Sequence, residues 1–190
     1  MKHIKTIIAA VFLGLIFTAC SSDDDTPDVN TDLLVGEWQL TALNAETEIS
    51  ISFLGQDITS TSTGEGSNFN YTVFINADNT ITASGSYDYT VTANTDGQVI
   101  TETATINEGE LTGTWSVDGD QFISSGFFTG EIDNDLIDLE STDSAATITV
   151  LNETNLVLVA DLESAIPTQD VEGVEYDVNG EGVYRLTRIN

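Results

Sequence analysis

The stretch YTVFINADNTITASGSYDYTV, residues 71–91, decides the fold class. Its first half alternates apolar and polar residues, which places Tyr71, Val73 and Ile75 on one face of an extended strand. The next four residues, Asn76 to Asn79, are of the kind that reverses the chain, and a second alternating run follows them. The stretch therefore predicts two antiparallel strands joined by a short turn.

The same alternation recurs further along the chain. In GTWSVDGDQFI, residues 113–123, the apolar Trp115 and Val117 alternate with polar residues, and Asp118-Gly119 is expected to supply the left-handed residues of a tight hairpin. In ITVLNETNLVLVADL, residues 148–162, the segment NET (152–154) separates two further strands. EGVYRLTRI, residues 181–189, is predicted as the last strand.

These patterns predict an all-β domain, an antiparallel up-and-down barrel of about 8–10 strands. A two-sheet β-sandwich is the alternative. The candidate strands lie near residues 35–43, 47–54, 68–75, 80–92, 98–106, 110–117, 121–128, 131–139, 145–151, 155–161 and 181–189. Two stretches without alternation, residues 55–67 and 163–180, are predicted as a mobile loop and an irregular segment.

The N-terminus has the features of a lipoprotein signal. Lys2 and Lys5 precede an apolar run that ends at Phe17, too short to cross a bilayer. Phe17-Thr18-Ala19-Cys20 resembles a bacterial lipobox, which implies cleavage after residue 19 and acylation of Cys20. A disulfide would need a second cysteine and a catalytic thiol would need a base, and the only histidine, His3, leaves with the signal.

The residues behind the cysteine suggest where the protein goes. Five residues resemble the acidic export signal of Bacteroidetes surface lipoproteins: Ser21, Ser22, Asp23, Asp24 and Asp25. They also suit a solvated tether. We expect a signal peptide at 1–19, an acylated cysteine and tether at 20–33, a domain at 34–190, and lipid anchoring in the outer membrane, facing the cell surface.

The charge of the chain limits its partners. There are 32 acidic residues and four lysines and arginines, a formal net charge of −28, and after cleavage only Arg185 and Arg188 remain as cations. Nucleic acid and anionic lipid surfaces need a basic partner and are excluded. A saline habitat alone is also consistent with such acidity. We expect a monomer.

No motif for catalysis is recognised, so we expect a protein that is not an enzyme. Without histidine in the mature chain, nucleophilic triads and transition-metal sites lack their usual groups. Asp177, Asn179, Glu181 and Gly182 match the first half of a calcium loop, but Arg188 stands where the closing glutamate is needed, so a turn is favoured. A weak surface Ca²⁺ site stays open, and no cofactor is expected.

The stretch LVGEWQLTAL, residues 34–43, resembles a known family. Its Gly36-Glu37-Trp38 is similar to the first-strand motif of lipocalins, and closer to the lipocalin-like domains of Bacteroidetes lipoproteins. The hairpin from Gly113 through Trp115 to Asp120 is similar to a second motif of those domains. The resemblance implies that Trp38 closes one end of the barrel under Arg188, although both arginines could instead pair with surface carboxylates.

Two functions follow from this reading. The first is a binding module whose barrel mouth holds a small apolar or glycan-type ligand, and the second is a structural or accessory protein that binds another envelope protein. The barrel interior would discriminate between them, because large inward aromatics would fill it. The candidate inward aromatics are Phe69, Tyr71, Phe74, Phe122, Phe127 and Phe128.

Overall fold

A computed structural model describes residues 29–53, 56–125, 144–163 and 174–189. A short 3-10 helix, Thr31–Leu33, precedes the sheet, at the end of the predicted tether. The strands of the described residues are β1 (Gly36–Phe53), β2 (Gln56–Ile75), β3 (Thr80–Thr95), β4 (Gln98–Asp118), β5 (Gln121–Ser124), β6 (Ser144–Leu151), β7 (Asn155–Asp161) and β8 (Val174–Arg188).

The strands form a closed, antiparallel, up-and-down barrel. Each strand pairs with the next along the chain, and β1 also pairs with β8, so the sheet has no edge where the ring is complete. Trp38 faces Arg188 and Leu40 faces Leu186 across that last seam. The predicted all-β, up-and-down ring is confirmed, and the sandwich alternative is wrong.

The barrel has walls of unequal height. β8, β1, β2, β3 and β4 have 15 to 21 residues each and form what we call the tall wall, whereas β5, β6 and β7 have only 4 to 8 and form the short wall. Among the described residues, β5 pairs with β4 only from Trp115 to Asp118, and β7 pairs with β8 only from Glu181 to Thr187. The tall wall therefore continues past the ring as a five-stranded sheet.

The core fills one end of the ring. Inward side chains from all eight strands meet there, because alternate residues of each strand point to the same face. The side chains that are almost fully buried are Leu34, Trp38, Val73, Phe122, Ser124, Leu156, Leu158 and Leu186. We call this the closed end.

The predicted loop at residues 55–67 is wrong, since β2 is continuous from Gln56. This part of β2 lies in the tall wall, where neither face packs on the core, so threonine and serine alternate instead of apolar and polar residues. Hydroxyl pairs link it to its neighbours: Thr47 with Ser62 at 2.6 Å and Ser60 with Thr95 at 2.8 Å. Strand pairing in this region is therefore invisible to hydrophobic periodicity.

Two predicted chain breaks are also absent. The candidate strands 35–43 and 47–54 are one strand, β1, and 98–106 and 110–117 are one strand, β4. A register shift lies close to each place: between Gln39 and Asn44 in β1, just before the predicted break at 44–46, and opposite Ala83 and Gly85 for β4, next to the predicted break at 107–109. A β-bulge interrupts the alternation of faces without ending the strand.

The last strand begins earlier than predicted. β8 starts at Val174, so the residues of the partial calcium pattern, from Asp177 to Gly182, lie on a strand and not in the predicted turn. The predicted strand at 131–139, the end of the one at 121–128, and the aromatics Phe127 and Phe128 lie outside the described residues.

The hairpin turns follow their sequences closely. Asn79 takes a positive φ of 67° in the 76–79 turn, and Asn152 Oδ1 accepts hydrogen bonds from Thr154 N and Asn155 N in the 152–154 turn. At Asp118-Gly119 only Gly119 is left-handed, with φ 62°, because Asp118 is still paired with Gln121 in the strand. The turn thus needs one glycine rather than two left-handed residues.

Candidate functional site

The closed end is built around the first family motif. The Trp38 side chain has no exposed surface, and its Nε1–H donates a 2.7 Å hydrogen bond to the carbonyl oxygen of Leu34. Leu34 is itself fully buried. The indole therefore fixes the chain segment that leads into β1 against the core.

Arg188 covers this tryptophan. Its Cζ lies 4.2 Å from the centre of the Trp38 ring, so the contact implied by the family resemblance is present. The guanidinium donates hydrogen bonds to the carbonyl oxygens of Val35 at 2.8 Å and Glu153 at 2.9 Å, and to that of Leu33. One side chain thus ties the start of β1, the β6–β7 turn and the end of β8 together.

Gly36 has a steric reason to be glycine. Its φ is +147°, a conformation that other residues rarely adopt, and a Cβ at this position would overlap Nη1 of Arg188. The spacing of Gly36 and Trp38 therefore lets the guanidinium reach both the ring and the backbone. The Gly36-Glu37-Trp38 motif therefore has a structural role, in the packing of the closed end.

The second motif joins the two walls. A Cβ on Gly113 would overlap the carbonyl oxygen of Ser125, so glycine allows β4 and the end of β5 to approach. Trp115 stacks on Phe122 with ring centres 6.0 Å apart and donates from Nε1 to the carbonyl oxygen of Asn76 at 2.9 Å. This indole secures the β2–β3 turn to the short wall.

Aromatic rings occupy the middle of the barrel. Tyr87 packs edge-on against Tyr71 at 5.6 Å and stacks with Phe69 at 6.1 Å. Burial, with the nearby Tyr87 and Tyr89, raises the pKa of the Tyr184 phenol well above its usual range.

The predicted inward aromatics are therefore partly correct. Phe69, Tyr71 and Phe122 pack in or against the core, as expected, whereas Phe74 is 39% exposed and points outward. Phe74 follows Val73 in β2, so the strand alternation that buries Val73 turns Phe74 to the outside. Counting from Tyr71 would have placed Phe74 correctly.

A depression of about 480 Å³ opens on the tall wall, away from the closed end. β8, β1 and β2 each contribute three consecutive residues to its lining: Asn179, Gly180, Glu181, Glu46, Thr47, Glu48, Thr61, Ser62 and Thr63. Gly180 packs closely against β1, because a Cβ there would lie 2.7 Å from Thr47 Cγ2. The depression is shallow and open to solvent.

The side chains that line the depression are of polar residues and none is cationic, while carbon atoms make up most of its exposed surface. Glu46, Glu48 and Glu181 supply carboxylates, Asn179 an amide, and Thr61 and Thr63 hydroxyl groups. Such groups accept and donate hydrogen bonds, as a ligand rich in hydroxyl groups requires. Within the described residues, no three acidic, histidine or cysteine side chains are placed to hold a metal ion.

Sequence reasoning did not find this depression. Its residues come from three strands, and two of those segments had been predicted as irregular, so no local motif marks them. Periodicity does not mark them either, since the intervening Thr47 and Ser62 are also polar.

The residues predicted for lipid attachment and export, Cys20 and 21–25, lie outside the described residues. In the part of the chain that the structure describes, none of the helices is long and apolar enough to cross a membrane.

Comparisons with known proteins add little. No protein-family model matches the chain, and no curated protein matches it. The crystal structure of Ail, the attachment invasion locus protein of Yersinia pestis, aligns with 82% of this chain and 99% of its own, at 7% identity. The TM-score of that alignment is 0.21, which is too low to support any conclusion about this chain.

Proposed function

We propose that this chain is a lipid-anchored outer-membrane protein, with a lipocalin-like barrel that binds a glycan-type ligand at the depression on the tall wall. The observation that carries the proposal is the set of polar side chains at that depression, with hydroxyl, amide and carboxylate groups from three adjacent strands. Ligands rich in hydroxyl groups are recognised by such convergent polar groups.

An apolar ligand is the less suitable of the two classes considered. The closed end of the barrel is filled by Trp38, Phe122 and the leucines around them, and Tyr71 and Tyr87 continue this packing upward. Binding an apolar molecule there would require displacing close-packed side chains. Polar ligands need no such displacement.

The anchoring part of the proposal rests on the N-terminal sequence. The lipobox-like Phe17 to Cys20 and the acidic residues 21–25 support acylation and export to the cell surface. Acyl chains on Cys20 would hold the barrel by a short tether. Mass spectrometry of the mature protein from its host tests this part, since an unmodified thiol at Cys20 would refute it.

Ligand binding is tested by titrating the full chain with a panel of defined neutral oligosaccharides in isothermal calorimetry. The double variant Thr61→Val, Thr63→Val removes two lining hydroxyl groups with little change in shape, and we expect it to weaken binding about tenfold. Thr112→Val is the matched control, because Thr112 is also an exposed strand threonine but does not line the depression.

Equal weakening by Thr112→Val would refute the proposed location. Absence of binding by the wild-type chain across the panel would refute the ligand class. The accessory function, binding to another envelope protein, would then be favoured.

A further inference from the structure

β4 has a long edge without a partner strand among the described residues. β3 covers one side of β4, but β5 covers the other side only at Trp115–Asp118, with Ser125 bonded to Thr114. We call residues 98–112 the β4 edge. Every second residue of an edge strand directs its N–H and C=O away from the sheet, so this edge offers a row of backbone groups that no described residue pairs with.

Little in the sequence protects this edge. Proteins usually block exposed edges with lysine, proline, bulges or short strands. Residues 98–112 contain no lysine, arginine or proline, and Val99 and Ile100 at the start are 62% and 61% exposed. One register shift near Gly109 is the exception, and it leaves about ten residues in regular register with β3.

The charge of the chain selects the partner. A second copy would bring another net charge of −28 against the first, with Glu102 and Glu110 again at the edge. A segment bearing lysine or arginine would find complementary charge at both glutamates. Extended peptides commonly bind sheet edges by adding a strand, with backbone hydrogen bonds giving affinity and side chains giving specificity.

We propose that the β4 edge binds an extended basic segment of another protein, which joins the tall wall as an additional strand. Val99 and Ile100 supply apolar contact at the start of the edge, and Glu102 and Glu110 supply the charge. This site lies on β4, whereas the depression is lined by β8, β1 and β2. It therefore stands whether or not the depression binds a glycan.

The test uses the full chain and a labelled nine-residue peptide. Three positions of the peptide are lysine, and the others are valine and threonine in alternation. A peptide with glutamate in place of lysine is its control. Fluorescence anisotropy measures binding, and amide hydrogen exchange identifies the residues that become protected. We expect the lysine peptide to bind, to protect alternate amides of residues 98–112, and to bind at least about tenfold more tightly than the glutamate peptide.

Thr103→Pro distinguishes edge pairing from simple charge attraction. The two-residue turn at Asp96-Gly97 makes Thr95 and Gln98 a hydrogen-bonded pair, so the N–H of Gln98 points toward β3. The direction of the N–H alternates along a strand, and Thr103 lies five residues after Gln98. The N–H of Thr103 therefore points away from β3. Proline there removes an outward donor while the β3 ladder stays intact. We expect Thr103→Pro to weaken binding about tenfold and the control Thr103→Val to leave it unchanged.

Three results would overturn the proposal. The first is equal binding to Thr103→Pro and Thr103→Val. The second is protection of the edge amides in the free chain at every protein concentration, which would mean that the chain covers its own edge. The third is protection that grows with protein concentration, which would identify a second copy as the occupant.

Discussion

Arg188 is the residue on which the closed end depends. It combines a cation–π contact to Trp38 with hydrogen bonds to three backbone carbonyl groups, while Arg185 on the same strand is exposed. Removing the guanidinium leaves carbonyl groups without their donor, which costs more than the cation–π term alone.

We expect Arg188→Met to lower the free energy of unfolding by about 2–4 kcal/mol. Urea unfolding of the full chain measures this, and Arg185→Met, the same change at the exposed site, is expected to cost less than about 0.5 kcal/mol. Equal losses in the two variants would contradict the structural role of Arg188.

Tyr184 should make the barrel sensitive to alkali. Burial, first, and the neighbouring Tyr87 and Tyr89 raise the pKa of its phenol in the folded chain, and burial also raises the pKa of Tyr89. In the unfolded chain a tyrosine ionises near pH 10. The folded state therefore holds its proton more tightly, and stability must fall as the pH rises above about 10.

The variant Tyr184→Phe has no proton to lose. We expect its free energy of unfolding to decline less steeply than that of the wild type above pH 10, while the two curves run parallel between pH 7 and 9. Denaturant unfolding at a series of pH values measures this. Parallel curves at alkaline pH would show that Tyr184 ionises as readily in the folded chain as in the unfolded one.

The roles of the closed-end residues could be predicted from the sequence only where they depend on local sequence or on the family resemblance. Leu186 is buried and Arg185 exposed, as alternation along one strand requires, while the partnership of Arg188 with Trp38 was implied by the family resemblance. The role of Gly36 depends on a backbone angle and on the place of a guanidinium 152 positions away in the chain, and neither is written in the local sequence.

At the scale of elements, the turns were easier to predict than the strands they connect. Asn152 and Asn79 act locally, through hydrogen bonds and left-handed backbone within their own turns, so nearby sequence suffices. β2 was half missed, because Ser60, Ser62 and Gly64 lie on its inner face above the core, where burial imposes no apolar pattern. Periodicity detects burial rather than strand pairing.

The left-handed conformation of Gly119 in the β4–β5 hairpin can be tested by substitution. Gly119 has φ 62°, so alanine there is strained, and we expect Gly119→Ala to cost about 1–2 kcal/mol of unfolding free energy. Gly109→Ala is the matched control, because its Cβ would have no atom within 4 Å and its φ is not positive. A Gly119→Ala cost no larger than that of the control would contradict the turn geometry described above.

For the whole molecule, the excess of acidic over basic residues is the dominant electrostatic feature. A net charge of −28 places many carboxylates near one another on the compact barrel, and mutual repulsion lowers its stability when salt is scarce. We expect the melting temperature to rise as sodium chloride increases from about 10 mM to about 500 mM, since the screening length falls below the spacing of surface charges.

Tetramethylammonium chloride at equal ionic strength separates screening from ion binding. Screening predicts the same rise for both salts, because the two cations carry the same charge. A larger rise with sodium would indicate a specific cation site instead. A melting temperature that falls with either salt would contradict repulsion as the main electrostatic effect.

The closed ring of β1 and β8 also fixes a direction for the molecule. Gly36 and Arg188 lie side by side at the plugged end, whereas the Asp96-Gly97 hairpin lies at the far end of β3 and β4. On the proposed acylation of Cys20, the chain enters the barrel from the membrane at this closed end. The tips of the long strands would then lie farthest from the membrane, and a partner in solution would meet them first.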